Sequence, residues 1–328
     1  NEFSFWQPAD CIAIMKLLAL KMSGHIDPEV TYAKALLALS DDQMLSALLP
    51  DAPGKSLTRI RSLPKNLSNL HPFSSTGKIS TPLFKFPSLE LAGASNVFGA
   101  TKERSATNGS LMANDPHFEL SAPSIFYLAR LQLNAGNVIG ASVPGTPIIL
   151  SGRNENLAWG FTASYLDDQD IFMEEQNPSN LNLYRTEKGW KKFKIDKQYI
   201  KVKNSPDIEI QRKWSRNGPI LPKTAFDLSS ITPKHHVSAL SWTALTDKDT
   251  TVSAAIDLML SQNVKNGLTS LERFHAPSVN FLLVDSQKMV IKTAGKMPKR
   301  SPLNETQGRM PSLGWKPENN WRGYWGYE

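Results

Sequence analysis

The sequence predicts an α+β fold, in which helices and β-strands form separate runs along the chain and pack as layers. Three observations support this class. Apolar residues recur at helical spacing near the N-terminus, strand-like segments begin at Ser95, and two further helical stretches precede two last strands. With 328 residues, the chain is long enough to bury a large core in one domain or two.

Three helices are predicted before residue 50. Apolar residues at 11, 12, 14, 15, 18, 19 and 22 give residues 8–22 one apolar helical face. A second helix begins at Asp27-Pro28-Glu29, with Asp27 as the N-cap and proline at the first helical position, and runs to about Leu39. The sequence Ser40-Asp-Asp-Gln43 is a capping box that opens a short third helix.

Residues 50–88 are rich in Pro, Ser, Lys and Leu and lack periodicity, so they predict an irregular connector. A loop of this length is uncommon unless it is functional or cleaved. Pro50 to Glu90 contains six basic and two acidic residues, which accounts for four of the seven net positive charges. No stacked-aromatic or RNP-like pattern accompanies these charges, so a nucleic-acid partner is not expected.

From Ser95 onwards the chain is typical of β-structure, with short apolar runs bounded by turn residues. The predicted strands are SNVFGAT, GNVIGASV, TPIILSG, LAWGFTAS, DIFMEE, QYIKVKN, DIEIQRKWS and HVSALSW. Helices are predicted over about 251–261 and 264–274, and the strands SVNFLLVD and KMVIKTAG follow them.

Several kinds of site are excluded by what the sequence lacks. Cys11 is the single cysteine, so there is no intramolecular disulfide and no cysteine-based zinc site. No run of 18 apolar residues predicts a membrane span. The motifs G-x-S-x-G, H-E-x-x-H and the phosphate loop are absent, and no organic cofactor is expected. The chain starts at Asn1 with no signal peptide, so we expect its natural N-terminus to lie elsewhere.

Ser95 is the candidate nucleophile. It follows the small residues Ala92-Gly93-Ala94, which would let its hydroxyl approach the preceding carbonyl. If the backbone were cut there, Ser95 would carry a free α-amine, whose usual pKa of about 7.7–8.0 suits a general base. An N-terminal serine can therefore act as nucleophile and base without a histidine. On its own the pattern leaves open that Ser95 is an ordinary turn residue.

The stretch "SNVFGATKERSATNGSLMANDPHFELSAPSIFYLARLQL" resembles the start of the β-subunit in the penicillin acylase family, whose members are N-terminal-nucleophile hydrolases. "FWQPADCIAIMKLLALKMSGHIDPE" resembles the late α-subunit, and "SVNFLLVDSQKMVIKTAGKMPKR" a later β-subunit piece. Four landmarks follow the order and spacing of the family: Ser95, Asn114-Asp-Pro-His117, Gly152-Arg-Asn154 and Trp159-Gly160. The connector is the least similar part.

The resemblance implies a four-layer αββα fold, which we expect to be incomplete at both ends. It divides the chain into late α-subunit helices (1–49), a connector ending at the cleavage point (50–94) and the first part of the β-subunit (95–328). Cleavage between Ala94 and Ser95 would then yield an α/β heterodimer. By the same resemblance we expect a periplasmic or secreted protein.

The resemblance also implies the roles of individual residues. Ser95 matches the nucleophile and base, and His117 matches a position whose backbone helps orient that nucleophile. Ala163 matches the residue whose backbone N–H forms half of the oxyanion hole, a donor typically worth about 3 kcal/mol. Phe118, Phe161 and Thr162 flank these positions and are expected to line the acyl pocket.

The segment YLDDQDIF matches the calcium-binding turn of the family. Asp167, Asp170 and the carbonyl of Gln169 are hard oxygen donors of the kind that Ca²⁺ requires, and Glu29 matches a bridging carboxylate. We expect a structural calcium ion to tie these two parts of the chain together. The alternative is a solvated acidic turn without an ion.

Two departures from the family pattern stand out. The family usually has tryptophan where this chain has Phe98. The second oxyanion donor of the family is an asparagine well beyond Trp321, and Asn280 does not match it. We therefore expect the sequence to be an internal fragment of a larger acylase.

The function implied is an autoprocessing amidohydrolase that cleaves the linear amide of a small N-acyl substrate through an acyl-enzyme on Ser95. The substrate remains open among an acyl-homoserine lactone, the side chain of a β-lactam and another N-acyl amide, so quorum quenching and antibiotic chemistry are both compatible. The alternative function is a non-catalytic envelope or binding protein on the same fold.

Overall fold

The computed structural model describes residues 5–38, 95–118 and 121–327. Within these residues the α-helices are α1 (Pro8–Ser23), α2 (Ile26–Ala38), α3 (Thr251–Met259) and α4 (Val264–Leu271). All four were predicted from the sequence, whereas the predicted third helix, the connector and Ala94 lie outside the described residues.

The first helical residue of α2 is Ile26, two residues before the predicted Pro28. Gly24 has a φ of 62°, a left-handed conformation that glycine adopts readily and that ends α1. Only Gly24 and His25 separate the two helices, so α2 already begins at Ile26. Asp27 therefore lies in the first turn of α2 and is not its N-cap.

Sixteen strands occur in the described residues. They are β1 (Asn96–Ala100), β2 (Leu111–Asp115), β3 (Tyr127–Leu133), β4 (Gly136–Ser142), β5 (Ser151–Arg153), β6 (Ala158–Ala163), β7 (Gln169–Asn177), β8 (Asn180–Thr186), β9 (Gly189–Lys192), β10 (Lys194–Ile200), β11 (Ile208–Ser215), β12 (Gly218–Pro219), β13 (His236–Trp242), β14 (Val279–Val284), β15 (Met289–Ala294) and β16 (Ser312–Leu313). Together with the helices they confirm the predicted α+β class.

An antiparallel six-stranded sheet carries the main core, in the order β15-β14-β6-β5-β4-β3. Successive residues of a strand point to opposite faces, so β6 directs Trp159 and Phe161 to one face and Gly160 and Thr162 to the other. Trp159 is fully buried, and its indole donates to the carbonyl of Ile149 at 3.0 Å. The Trp159 face packs against α3 and α4, which bury their own apolar residues there.

A second sheet has the order β13-β7-β8-β9, with β16 parallel to β7. The α1–α2 pair covers it, because Ile26 and Val30 pack with Ile171 of β7 and Leu240 of β13 in one buried cluster. A third, three-stranded sheet consists of β10, β11 and β12. The helices before the predicted cleavage point thus share a core with strands that follow it.

The β1–β2 hairpin lies against the six-stranded sheet on the face opposite to Trp159. Asn96 pairs with Asp115, and Val97 pairs with Asn114. A Cβ atom on Gly160 would lie 3.0 Å from the Cγ2 atom of Val97 and 3.0 Å from the Cβ atom of Asn114. The hairpin therefore approaches β6 closely where β6 has no side chain.

One segment folds differently from the prediction. Residues 146–150 of TPIILSG are not a strand, because Thr146 donates its hydroxyl to the Val143 carbonyl at 2.8 Å and Ser142 donates to Ile148 at 2.7 Å, which closes a turn. Asn114 and Asp115 are the last residues of β2, so this strand extends into the Asn114-Asp-Pro-His motif. None of the helices in the described residues is long and apolar enough to cross a membrane.

Candidate active site

Ser95 lies half-buried immediately before β1. The hairpin that begins there is held on β6 by Asn114, whose side-chain amide nitrogen donates to the carbonyl of Asn96 at 3.0 Å and to the carbonyl of Phe161 at 3.0 Å. The Asn114 Oδ1 atom accepts from the backbone N–H of Phe161 at 3.1 Å. The residue that follows Ser95 is therefore tied to the strand that ends at Ala163.

His117 lies at the open end of this hairpin. Its Nε2 atom is 2.9 Å from the Oδ2 atom of Asp115 and 3.4 Å from the side-chain nitrogen of Asn96. His117 is half-buried, while Asp115 is exposed. His117 thus contacts Asn96, the residue that directly follows Ser95.

Ala163 is the last residue of β6 and pairs with Val279 of β14. Its carbonyl accepts from the side chain of Asn280 at 3.3 Å. Thr162 faces away from the Trp159 side of the sheet, and its hydroxyl oxygen is 3.4 Å from the Asn280 side-chain nitrogen. Asn280 therefore supports the end of β6 through a carbonyl and a hydroxyl.

An apolar cavity of about 440 Å³ lies on the Trp159 face of the six-stranded sheet, opposite to the hairpin. Phe118 and Phe161, two of the predicted pocket residues, line it, and the Phe118 ring meets Phe126 edge to face at a centroid distance of 5.2 Å. Thr162 and Ser95 are not among the described residues that line this cavity. The lining also includes a charged pair, in which Lys16 of α1 donates to Asp249.

A buried cluster of charges lies between the helices and β7. We call it the Arg300 cluster; its members are Glu29, Asp167, Asp168, Asp170 and Arg300. Arg300 holds the Asp170 carboxylate with its Nε atom at 3.0 Å and with a terminal nitrogen at 2.8 Å. The same guanidinium is 3.0 Å from the Asp167 carboxylate.

Further contacts of the Arg300 cluster join both helices to the sheets. Glu29 of α2 accepts the backbone N–H of Ile171 at 3.1 Å. Asp168 accepts from Ser23, the last residue of α1, at 3.2 Å, and from the indole of Trp242 at 3.4 Å. These bonds connect residues that lie on the two sides of the predicted cleavage point.

Burial dominates the protonation of this cluster. It raises the pKa of Glu29 well above its usual range, and the neighbouring carboxylates of Asp170 and Asp167 raise it further. Burial also raises the pKa of Asp167 to about 8, against the opposing effect of Arg300, and that of Asp168 to about 7. For Arg300, burial favours the neutral form, but Asp170 and Asp167 outweigh it and raise its pKa.

The predicted calcium ligands come together here, but they do not fit a calcium ion as they are arranged. Arg300 donates to the carboxylates of Asp167 and Asp170 and, at 3.3 Å, to the carbonyl of Gln169, which are the oxygens expected to hold the ion. In the described parts of the chain no group of three or more acidic, histidine or cysteine residues could hold a metal ion. The calcium site stays a prediction.

Three contributors to the Arg300 cluster, the hairpin contacts and the cavity were not predicted from the sequence. Arg300 belongs to the run KMPKR, where nothing distinguishes it from its basic neighbours. Asn114 was noted within a motif, but no role was assigned to its side chain. The helix α1 supplies Met15 and Met22 to the cavity, and the apolar stripe of that helix was the available signal.

Comparison with known proteins gives consistent matches over the whole chain. A family model described as penicillin amidase matches residues 2–328. The acyl-homoserine lactone acylase QuiP of Pseudomonas fluorescens (strain Pf0-1) is 26% identical over 336 residues, which cover 98% of this chain and 39% of that protein. The penicillin acylase 2 proenzyme of Pseudomonas sp. (strain SE83) is 23% identical, covering 97% of this chain and 40% of its own length.

The fold also has a counterpart among solved structures. A thermostable penicillin G acylase from Alcaligenes faecalis matches with a TM-score of 0.61 and 22% identity, over 70% of this chain and 40% of that one. This likeness confirms the predicted fold. The chain thus spans about two fifths of the length of the relatives that it matches.

Proposed function

The chain belongs to the penicillin amidase family, and from this premise we propose that it carries the nucleophile of an autoprocessing acylase. The proposed reaction is the hydrolysis of the linear amide in a small N-acyl compound. It requires a nucleophile with a base, donors for an oxyanion and a pocket for an acyl group. The candidates for these parts are Ser95, Ala163 and the apolar cavity on the Trp159 face of the six-stranded sheet.

In the proposed reaction the Ser95 Oγ atom attacks the amide carbonyl carbon, and its proton passes to the Ser95 α-amine. The carbonyl oxygen becomes an oxyanion, to which the Ala163 N–H donates. The C–N bond then breaks as the proton moves to the leaving amine, which leaves the acyl group on Ser95. A water molecule attacks that ester, and a carboxylic acid and free Ser95 result.

The observation that carries this proposal is that β6 has the apolar cavity on one face and the Ser95 hairpin on the other. Phe161 contributes both its ring to the cavity and its backbone to the bonds with Asn114, so cavity and hairpin share a residue. The volume of about 440 Å³ and the apolar lining suit an aliphatic or arylacetyl chain rather than a charged one.

Maturation by a cut between Ala94 and Ser95 is part of the proposal. In the precursor the same Oγ atom would attack the Ala94 carbonyl, and the resulting ester would be hydrolysed. The two products would stay together as a heterodimer, because α1 and α2 pack in one core with β7 and β13. We also propose a periplasmic or secreted location, which cell fractionation would test.

The test uses the full-length protein, an N-acyl 4-nitroanilide series from acetyl to dodecanoyl, and intact mass. Ser95→Ala is expected to stay as one uncut chain and to lose at least about 1,000-fold in turnover. Ser179→Ala, on the β7–β8 turn, is the control and should be cut and active like wild type. Ser95→Cys should still be cut but hydrolyse amides at a different rate, because a thiol is a different nucleophile.

Two results would contradict the proposal. Normal cleavage of Ser95→Ala would remove Ser95 from the maturation step. A wild-type protein that binds N-acyl amides without turnover or covalent acylation of Ser95 would instead favour a non-catalytic binding protein on this fold.

A further inference from the structure

One asparagine side chain connects the two strands that hold the candidate catalytic groups. We call these contacts the Asn114 bracket; its members are Asn114, Asn96 and Phe161. A carboxamide has two N–H donors and an acceptor oxygen, and here both ends are used. Toward Phe161 the side chain accepts from the N–H at 3.1 Å and donates to the carbonyl at 3.0 Å, as a paired strand would.

The bracket joins positions next to the candidate catalytic groups, and this gives it a role beyond packing. Asn96 directly follows Ser95, and its carbonyl accepts from Asn114 at 3.0 Å. Phe161 precedes Ala163 by two residues on β6, and its ring lines the cavity. The bracket therefore fixes the start of the nucleophile strand relative to the end of the strand that bears the proposed oxyanion donor.

A glycine at position 160 leaves the space that the Asn114 side chain needs beside β6. Gly160 lies beside Asn114, and a Cβ atom there would come within 3.0 Å of the Asn114 Cβ atom. An aspartate at position 114 would have the same shape, but its carboxylate oxygens would face the carbonyls of Asn96 and Phe161 without a proton to donate. A neutral amide is the side chain that satisfies all three backbone groups.

We propose that Asn114 is a positioning residue, which sets the distance between Ser95 and the Ala163 N–H for both maturation and hydrolysis. This inference rests on the proposed function. Reaction rates depend steeply on such distances, because a misplacement of about 1 Å costs on the order of 100-fold. Asn114 itself touches neither substrate nor the reacting atoms.

The same sheet offers a matched control. Asn154, in the turn between β5 and β6, donates to the carbonyls of Met259 at 2.9 Å and Ser261 at 2.8 Å. Its Oδ1 atom accepts the N–H of Leu157 at 2.8 Å. Asn154 thus makes the same kind of bonds at the opposite end of β6 from Ala163, where they support structure alone.

The experiment compares Asn114→Ala, Asn114→Asp and Asn154→Ala in the full-length protein. Measurements are kcat and KM on the nitroanilides, the rate of the Ala94–Ser95 cut, thermal stability, and hydrogen exchange of the β1 and β6 peptides. Both Asn114 variants should lower kcat about 100-fold with KM nearly unchanged, slow the cut, and expose β1 and β6 to exchange. Asn154→Ala should lower the Tm and leave kcat and KM of the folded enzyme unchanged.

The pH dependence of kcat in Asn114→Asp is a second readout, and it would not change if Asn114 had only a structural role. A protonated carboxylic acid regains one O–H donor, so the ratio of Asn114→Asp to wild-type kcat should rise as the pH falls from 8 to 5. A kcat within about threefold of wild type for Asn114→Ala, or an equal loss in Asn154→Ala, would overturn the inference.

The outcomes also separate this inference from the proposed function. If wild type shows neither turnover nor a cut, the proposed function has failed, and hydrogen exchange then decides on the bracket alone. Unchanged protection of the β1 and β6 peptides in Asn114→Ala would overturn the bracket whatever the activity.

Discussion

The Asn114 bracket and the Arg300 cluster both join strands that follow Ser95 to another part of the molecule, but they do so with opposite chemistry. The bracket is a half-buried neutral amide that bonds three backbone groups. The cluster places four carboxyl groups around one guanidinium, and the Arg300 side chain is only 3% exposed. The bracket connects the β1–β2 hairpin to β6, whereas the Arg300 cluster connects helices to sheets.

The difference shows which property each contact supplies. An amide has fixed donor and acceptor directions, so it defines a geometry at modest energy. A buried ion pair adds little net stability, because removing both charges from water costs free energy. Removing one partner, however, leaves an unpaired buried charge. We therefore expect the bracket to control rate and the Arg300 cluster to control whether the helices stay attached.

The largest effect is expected from Arg300→Met, which keeps the length of the side chain and removes its charge. It leaves Asp167 and Asp170 without their cation, and breaking such a pair typically costs about 3–5 kcal/mol. Urea unfolding measures the loss. Arg212→Met is the control, because Arg212 pairs with Asp196 on the exposed β10–β11 hairpin, where a pair is worth about 0–1 kcal/mol.

Two results would contradict this difference between the bracket and the cluster. A loss below about 1 kcal/mol for Arg300→Met would show that the cluster tolerates the missing charge. A fall in kcat that matches Asn114→Ala, without a fall in stability, would make the cluster a second positioning element rather than an attachment.

The elements that were predicted correctly are those whose patterns are local. The apolar stripe of α1 and the runs that became β6, β7 and β14 carry their periodicity within a few residues. TPIILSG failed because the hydroxyls of Ser142 and Thr146 close a turn that apolar content does not reveal. The strands β2, β3, β8 and β9 were not predicted. In β2 the polar side chain of Asn114 bonds to another strand rather than to solvent.

The roles of the site residues were expected from the resemblance alone, and they stay predictions. Phe118 and Phe161 were expected in the pocket and line the cavity, whereas Thr162 alternates to the opposite face of β6. The contact of Arg300 with Asp170 spans 130 residues, and no local pattern encodes it. Long-range pairing of this kind is decided by the packed structure and not by the segment that contributes the side chain.

Gly160→Ala should have the next largest effect, and it tests the bracket itself. The added Cβ atom would sit 3.0 Å from both the Asn114 Cβ and the Val97 Cγ2 atoms, so the hairpin must shift. Overpacking of this kind costs about 1–3 kcal/mol, and we expect kcat to fall more than stability does. Gly109→Ala, in an open turn whose nearest atom is 3.7 Å away, should change neither by much.

The rate and stability of Gly160→Ala are measured by nitroanilide turnover and urea unfolding. If Gly160→Ala lost stability while its kcat stayed at the wild-type value, the distance between hairpin and sheet would not control the rate. The bracket would then resemble the cluster in kind, and the contrast between the two regions would disappear.

The smallest effect is expected from calcium on the wild-type protein. Arg300 already donates to the oxygens of Asp167, Gln169 and Asp170, so an ion would have to displace a guanidinium of the same sign. EGTA and millimolar calcium should therefore move the wild-type Tm by less than about 1 °C. In Arg300→Ala the carboxylates lose their cation but keep their positions, and calcium binding to the folded state should raise the Tm by several degrees through mass action. Magnesium is the control, because its demand for octahedral geometry suits this set of oxygens less well than the flexible coordination of calcium. A wild-type Tm that falls markedly in EGTA would establish the calcium site expected from the resemblance, and Arg300 would then have to leave these oxygens when the ion binds.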